Sequence, residues 1–208
     1  MSTSEAGAPP TAEGRVRWRR FAATMFGAGA LSAALVALTA EGVLAVQFAI
    51  SGIPFTVTAD RLEGTGFAQW AELDHMAENS PNAGDTGGVV VVIVSAIDRA
   101  ELTNLCQSIN MGGISMKITA GDAGTPVTAR TLVVDSDDIA GNASFKNIEI
   151  GRDASELDKV PGKKGLLGVF GQQADKVEIR DLRQNNYATT AATFTLPHLR
   201  MRFSSDGC

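Results

Sequence analysis

From Val46 onward the chain alternates between apolar and polar positions. Val46, Phe48 and Ile50 are separated by Gln47 and Ala49, and Phe55, Val57 and Ala59 by Thr56 and Thr58. A period of two sends successive side chains to opposite faces of a strand, so the pattern predicts half-buried sheet. Glu63-Gly64-Thr65-Gly66 reads as a turn that returns into a strand over 67–73, and residues 76–88 (MAENSPNAGDTGG) as an exposed loop of turn formers. The run VVVVIV over 89–94 predicts a strand in the sheet interior.

The period then changes. Asp98 followed three residues later by Glu101 resembles a capping box, and Leu102, Leu105, Cys106 and Ile109 recur at helical spacing. This predicts one short helix with Cys106 on its buried face. Further strands are expected over 114–120, 127–134, 144–150 and 177–182, and across 187–203, where Pro197 marks an edge or a bulge. The expected fold is mainly β: an antiparallel sandwich or open barrel with one short helix. A faint repeat, V-x-[AI]-x-x-L, occurs at 57–62, 127–132 and 177–182, at offsets too unequal for a solenoid.

Ahead of the alternating region lies a different pattern. Residues 21–40 (FAATMFGAGALSAALVALTA) carry no charge and follow directly on Arg15, Arg17, Arg19 and Arg20. About 20 residues at 1.5 Å of rise span about 30 Å, the thickness of a bilayer core. The run predicts a single N-terminal transmembrane helix over 21–45, and the arginines place its start in the cytoplasm and the rest outside. A cleavable signal peptide is the competing reading, with small-residue sites at Ser32-Ala33-Ala34 and Val43-Leu44-Ala45. Both put residues 46–208 outside the cytoplasm as one β-domain. Residues 1–20 read as a disordered tail with a basic end.

Charge narrows the partners. Four of the 18 Lys and Arg and two of the 23 Asp and Glu precede the apolar run, which leaves the remainder near −7. That balance argues against nucleic acid, which is held by basic patches. Two cysteines, Cys106 and Cys208, both lie in the expected outer region, where disulfides persist. A bridge between them would close a loop of about 100 residues, and free or intermolecular thiols are the alternative.

Catalytic motifs are scarce. A serine hydrolase of the α/β type needs G-x-S-x-G, and Gly113-Ile114-Ser115-Met116-Lys117 has the first glycine but not the second. His75 and His198 are the histidines available as a base. Asp135-Ser136-Asp137-Asp138 copies the opening of a calcium loop but lacks the glycine and the final glutamate. No P-loop or dinucleotide fingerprint is present, so no cofactor or metal is expected. One stretch is unusual for a soluble surface: Leu166, Leu167, Val169 and Phe170 among glycines, preceded by Lys163 and Lys164. These residues read either as a loop over an open end of the fold or as a contact for an apolar ligand or a membrane, with the lysines at lipid phosphates.

Gly66-Phe67-Ala68-Gln69-Trp70, Leu102 to Ser108 (LTNLCQS), Phe170 to Asp175 (FGQQAD), Ala188 to Leu199 (ATTAATFTLPHL) and the terminal Cys208 together carry a resemblance. The chain resembles an uncharacterised family of membrane-anchored actinobacterial proteins of the Streptomyces type, whose members are often labelled "cholesterol esterase". The resemblance implies the actinobacterial envelope as location and a multi-pass membrane protein as partner. It carries no catalytic residues, and the esterase label meets no nucleophile elbow in this chain. The expectation that follows is an envelope protein, non-catalytic, that binds or passes on an apolar ligand such as a lipid. A structural module that binds another envelope protein and a lipid esterase are the alternatives.

Overall fold

The computed structural model describes Trp18, residues 21–26, Gly29 and residues 48–208. The first group is helical, with the Trp18 and Phe21 rings edge to face at 5.9 Å. Among the described residues no helix is long and apolar enough to cross a membrane. Most of the anchor expected over 21–45, and nearly all of the tail over 1–20, lie outside the described residues.

Residues 48–208 form a nine-stranded antiparallel sheet, with strands β1 (Phe55–His75), β2 (Val89–Thr103), β3 (Leu105–Asn110), β4 (Ser115–Ala120), β5 (Val127–Lys146), β6 (Glu149–Asp153), β7 (Phe170–Thr190), β8 (Thr193–Thr195) and β9 (Arg200–Ser204). Ladders join β1 to β2, β2 to β5, β5 to β7 and β7 back to β1, so four long strands pair around a partial ring. An arm of β3, β4 and β9 continues from one edge of β1. The open-barrel expectation is met to this extent.

The helix expected around Cys106 is a correction. Asp98 and Leu102 lie in β2 and Cys106 and Ile109 in β3, paired with β1 and β4. Asn104 stands between them with φ +53°. That one left-handed residue shifts the alternation, so Leu102 and Leu105, three apart, are both buried in the same core. A bent strand thereby imitates helical spacing. Two one-turn 3-10 helices, Gly84–Thr86 and Ala154–Glu156, are the helical pieces described in this region.

The turn expected at Glu63 to Gly66 is also a strand. Thr65 faces Arg99 and Phe67 faces Ile97, so β1 continues in register through Gly66, which has φ +67°. A side chain at Gly66 would meet the Lys159 carbonyl oxygen at 2.5 Å, so the bend requires glycine. Gly66, Asp98 and Thr131 (φ +50°) stand level on β1, β2 and β5, and the three strands bend together.

The faint repeat has the same origin. In each copy the first and last positions are buried: Val57 and Leu62, Val127 and Leu132, Val177 and Leu182. Two inward residues spaced by two are followed by one spaced by three, and in two copies the extra residue, Thr131 or Asp181, is left-handed. Cross-strand amide–carboxylate bonds accompany several bends. Asn104 Nδ2 donates to Asp60 at 2.6 Å, Asn142 to Asp181 at 3.0 Å and Asn147 to Asp175 at 2.6 Å.

Cys106 and Cys208 form the disulfide, with Cα atoms 5.9 Å apart and 102 positions of sequence between them. A loop of this length constrains the unfolded chain by about 4.7 kcal/mol in the chain-entropy picture. The tail is also hydrogen-bonded, since Cys208 N donates to Ser108 Oγ at 2.9 Å and Lys117 Nζ to the Gly207 carbonyl at 3.0 Å.

Candidate functional site

The bent strands give the sheet two apolar faces. On one, Ala68, Trp70, Val92, Val94 and Ala96 pack under Ala154, Leu157 and Val160, which the connection between β6 and β7 lays over them. On the other, Val57, Leu62, Phe67, Ile97, Leu102, Leu132, Val134 and Leu182 converge inside the ring. The inner face encloses a cavity of about 280 Å³. That lies near the lower end of ligand-pocket sizes, ~300–1,000 Å³. Ile93 and Phe194, 37% and 41% exposed, mark where its lining reaches solvent.

No ionisable side chain lines this cavity. Its polar lining consists of amides and hydroxyls, among them Gln69, Ser95, Gln184 and Asn186. Gln69 Nε2 donates to Ser95 Oγ at 2.8 Å, and Gln172 Nε2 donates to Gln69 Oε1, so this end is internally satisfied. Asn186 is different: its Oδ1 is buried and has no hydrogen-bond partner. Opposite it in the β5–β7 ladder, the buried Ser136 Oγ also lacks one.

Phe145 packs on Phe67 with ring centroids 5.4 Å apart and lines both the cavity and a second, polar groove. That groove carries Arg99, Arg130, Lys146 and Lys176 together with Glu63, Glu101 and Glu178.

None of the six residues singled out in the glycine-rich stretch lines the cavity. Val169 packs on the outer core, whereas Leu166, Leu167 and Phe170 are 71%, 83% and 62% exposed. Their loop is held from below. Gly165 N donates to the Ala154 carbonyl and Gly168 N to Asp153 Oδ2 at 2.8 Å. A side chain at Gly165 would meet Trp70 Cδ1 at 2.7 Å, so the backbone seats itself on the indole only because glycine is there. Lys164 is exposed, but Lys163 acts inward: its ammonium partly offsets a carboxylate cluster. Burial first, then Asp74 and Glu72, push the Asp135 carboxyl up to about 7. Burial and Glu72 likewise raise Asp74.

The hydrolase and calcium readings find little geometry. Ser115 is buried in β4 beside the tail at Gly207, and no hydrogen bond joins it to a histidine. His198 Nδ1 pairs with Asp122 Oδ1 at 2.8 Å, and His75 ends β1 opposite Val89. Asp135, Asp137 and Asp138 lie in strand β5 rather than in a loop, and Asp137 accepts from Asn185 at 2.8 Å. Among the described residues no group of three or more His, Cys, Asp or Glu is placed to hold a metal ion.

The cavity residues were missed by motif reasoning, yet a signal existed. Leu182, Gln184, Asn186 and Ala188 follow one another at period two on β7, and all four are buried. Amides at two successive inward positions are what a polar spot in a core looks like in sequence. No curated protein and no solved structure matches the chain. A family profile does match, over residues 51–208 and thus over all nine strands, and the chain belongs to that family, a family of unknown function designated DUF6230.

Proposed function

We propose that this is a non-catalytic envelope protein whose β-domain, outside the cytoplasm, binds or passes on an apolar ligand such as a lipid. The observation that carries the reading is the cavity of about 280 Å³ inside the ring, walled by aliphatic and aromatic side chains without an ionisable group. Such a site favours an uncharged or long-chain occupant, because apolar surface gains about 25 cal/mol per Å² on leaving water and a bare charge would lose far more. The uncharged run over 21–40 and the four arginines before it support tethering in a membrane with the β-domain outside. The resemblance noted above supports an actinobacterial envelope. Leu166, Leu167 and Phe170, exposed on a braced loop, supply an apolar contact for the membrane face.

Native mass spectrometry with lipid extraction tests the reading on the full chain purified from its own membranes. A lipid at defined stoichiometry is expected, and its loss on filling the ring with Val134→Phe places it there. A clean apo mass would overturn the reading. The same exposed loop favours a second reading, a module that docks on another envelope protein such as a multi-pass neighbour. Triple replacement of Leu166, Leu167 and Phe170 by serine would then abolish co-purification of that neighbour and leave lipid content unchanged.

A further inference from the structure

The ring cavity is mainly apolar, and its polar lining is made of uncharged amides and hydroxyls. Asn186 is 1% exposed, lines the cavity, and its Oδ1 has no hydrogen-bond partner. Ser136, at 0% exposure, stands opposite it on β5 and its Oγ is also unpartnered. Gln184, one inward step before Asn186, lines the same space at 6% exposure. Elsewhere the fold pairs its side-chain amides with care: Asn104, Asn142, Asn147, Asn185, Gln69 and Gln173 each donate to a named oxygen.

An unpaired buried carbonyl costs about 1–3 kcal/mol. A leucine-sized apolar residue would fill that place without the cost. Ser136 stands behind the cavity wall, so the demand at the wall is that of Asn186 Oδ1, which accepts only.

We propose that the occupant of the ring is an uncharged amphiphile with a hydroxyl group, bound with that group buried: it donates to Asn186 Oδ1, while its apolar body lies against Leu62, Phe67 and Ile139. This rests on the reading of the ring as an apolar-ligand site and names the ligand's class. An ionised carboxylate or phosphate does not fit, because no cation lines the cavity and a desolvated charge goes unpaid. Octanol, a hydroxyl at the end of a flexible apolar chain, is the simplest probe of that class.

Equilibrium dialysis of the full chain in amphipol, with empty amphipol as the blank, against radiolabelled 1-octanol, octanoate and octane tests it. Octanol is expected to bind about tenfold more tightly than octane, and octanoate more weakly than either. Asn186→Leu and Asn186→Val, which both lack the acceptor, should remove the octanol preference while octane binding is retained or improved. Equal binding of octanol and octane, unaltered by either variant, would overturn the hydroxyl assignment while leaving the cavity a ligand site. Octanoate binding as tightly as octanol would overturn the demand for an uncharged head. Binding of none of the three would remove the ligand site itself.

Discussion

Strands β1 and β2 serve two apolar faces with alternate residues, and the two faces are finished differently. Val92, Val94 and Ala96 look onto an outer core that a crossing connection closes with Leu157 and Val160, 0% and 1% exposed. Ile93, Ser95 and Ile97, interleaved with them, look into a ring that keeps a cavity of about 280 Å³ and bare amides. The same backbone therefore supports a filled core and a hollow one. Hollowness inside the ring is not a general looseness of this fold, because a strand's width away the packing is complete. It sits where β1, β2, β5 and β7 close on one another.

The largest expected effect breaks the filled side. Leu157→Ala should destabilise by about 3 kcal/mol in urea unfolding, since it removes all of the side chain beyond Cβ from a site with no exposure. A loss well under 1 kcal/mol would mean that the outer core is as loose as the inner.

Next comes the charge at the outer face. Asp135 is held up near 7 by burial and by Asp74 and Glu72, with Lys163 opposing. An acid whose folded value exceeds its unfolded one of about 3.9 keeps its proton in the folded state only, so its contribution to stability falls as pH rises from about 4 to about 7. Asp135→Asn should therefore stabilise the protein at pH 7.5 by on the order of 2 kcal/mol and have little effect at pH 4, as read by urea unfolding at the two pH values.

Adding volume separates the two faces most cleanly. Val160→Leu should cost about 1–2 kcal/mol by overpacking, whereas Val134→Leu, which points into the cavity, should be neutral within about 0.5 kcal/mol. Equal costs would erase the distinction between them. The smallest effect is expected from Asn186→Leu, which removes an unpartnered buried carbonyl and should leave stability unchanged or raise it by up to about 1 kcal/mol.

Much of this fold is legible in the sequence because period two is a strong signal wherever one face is buried. The strands expected over 55–60, 114–120, 127–134 and 177–182 follow from it, while the strand over 89–94 follows from an unbroken apolar run and the exposed loop over 76–88 from its turn formers. The strand expected over 144–150 is two, β5 and β6, parted at Asn147 and Ile148, but the other misreadings within the sheet share one cause. A left-handed residue in or between paired strands turns a spacing of two into three, which gives Leu102 and Leu105 a helical look and gives Val127, Ala129 and Leu132 the look of a repeat. Gly66 was read as the end of a strand because glycine marks turns more often than bends. The bends are what roll the sheet, so the property hardest to read from spacing is the one that makes the ring.

The candidate site was less legible still. Lys163, Lys164, Leu166, Leu167, Val169 and Phe170 draw attention by being greasy or charged among glycines, yet they lie on the outer face and its surface. The cavity is made by ordinary strand residues from β1, β2, β3, β5, β7 and β8, drawn together by pairings distant in sequence, such as Val57 with Gln184. Nothing local in the sequence announces a space between them.

A crystal soaked in 8-bromo-1-octanol tests the central claim most directly, because bromine's anomalous signal locates the chain end without ambiguity. The account predicts a single strong peak inside the ring, near Leu62 and Phe67, with the hydroxyl against Asn186. A peak on the outer surface at Leu166, Leu167 and Phe170, or none at all, would contradict it.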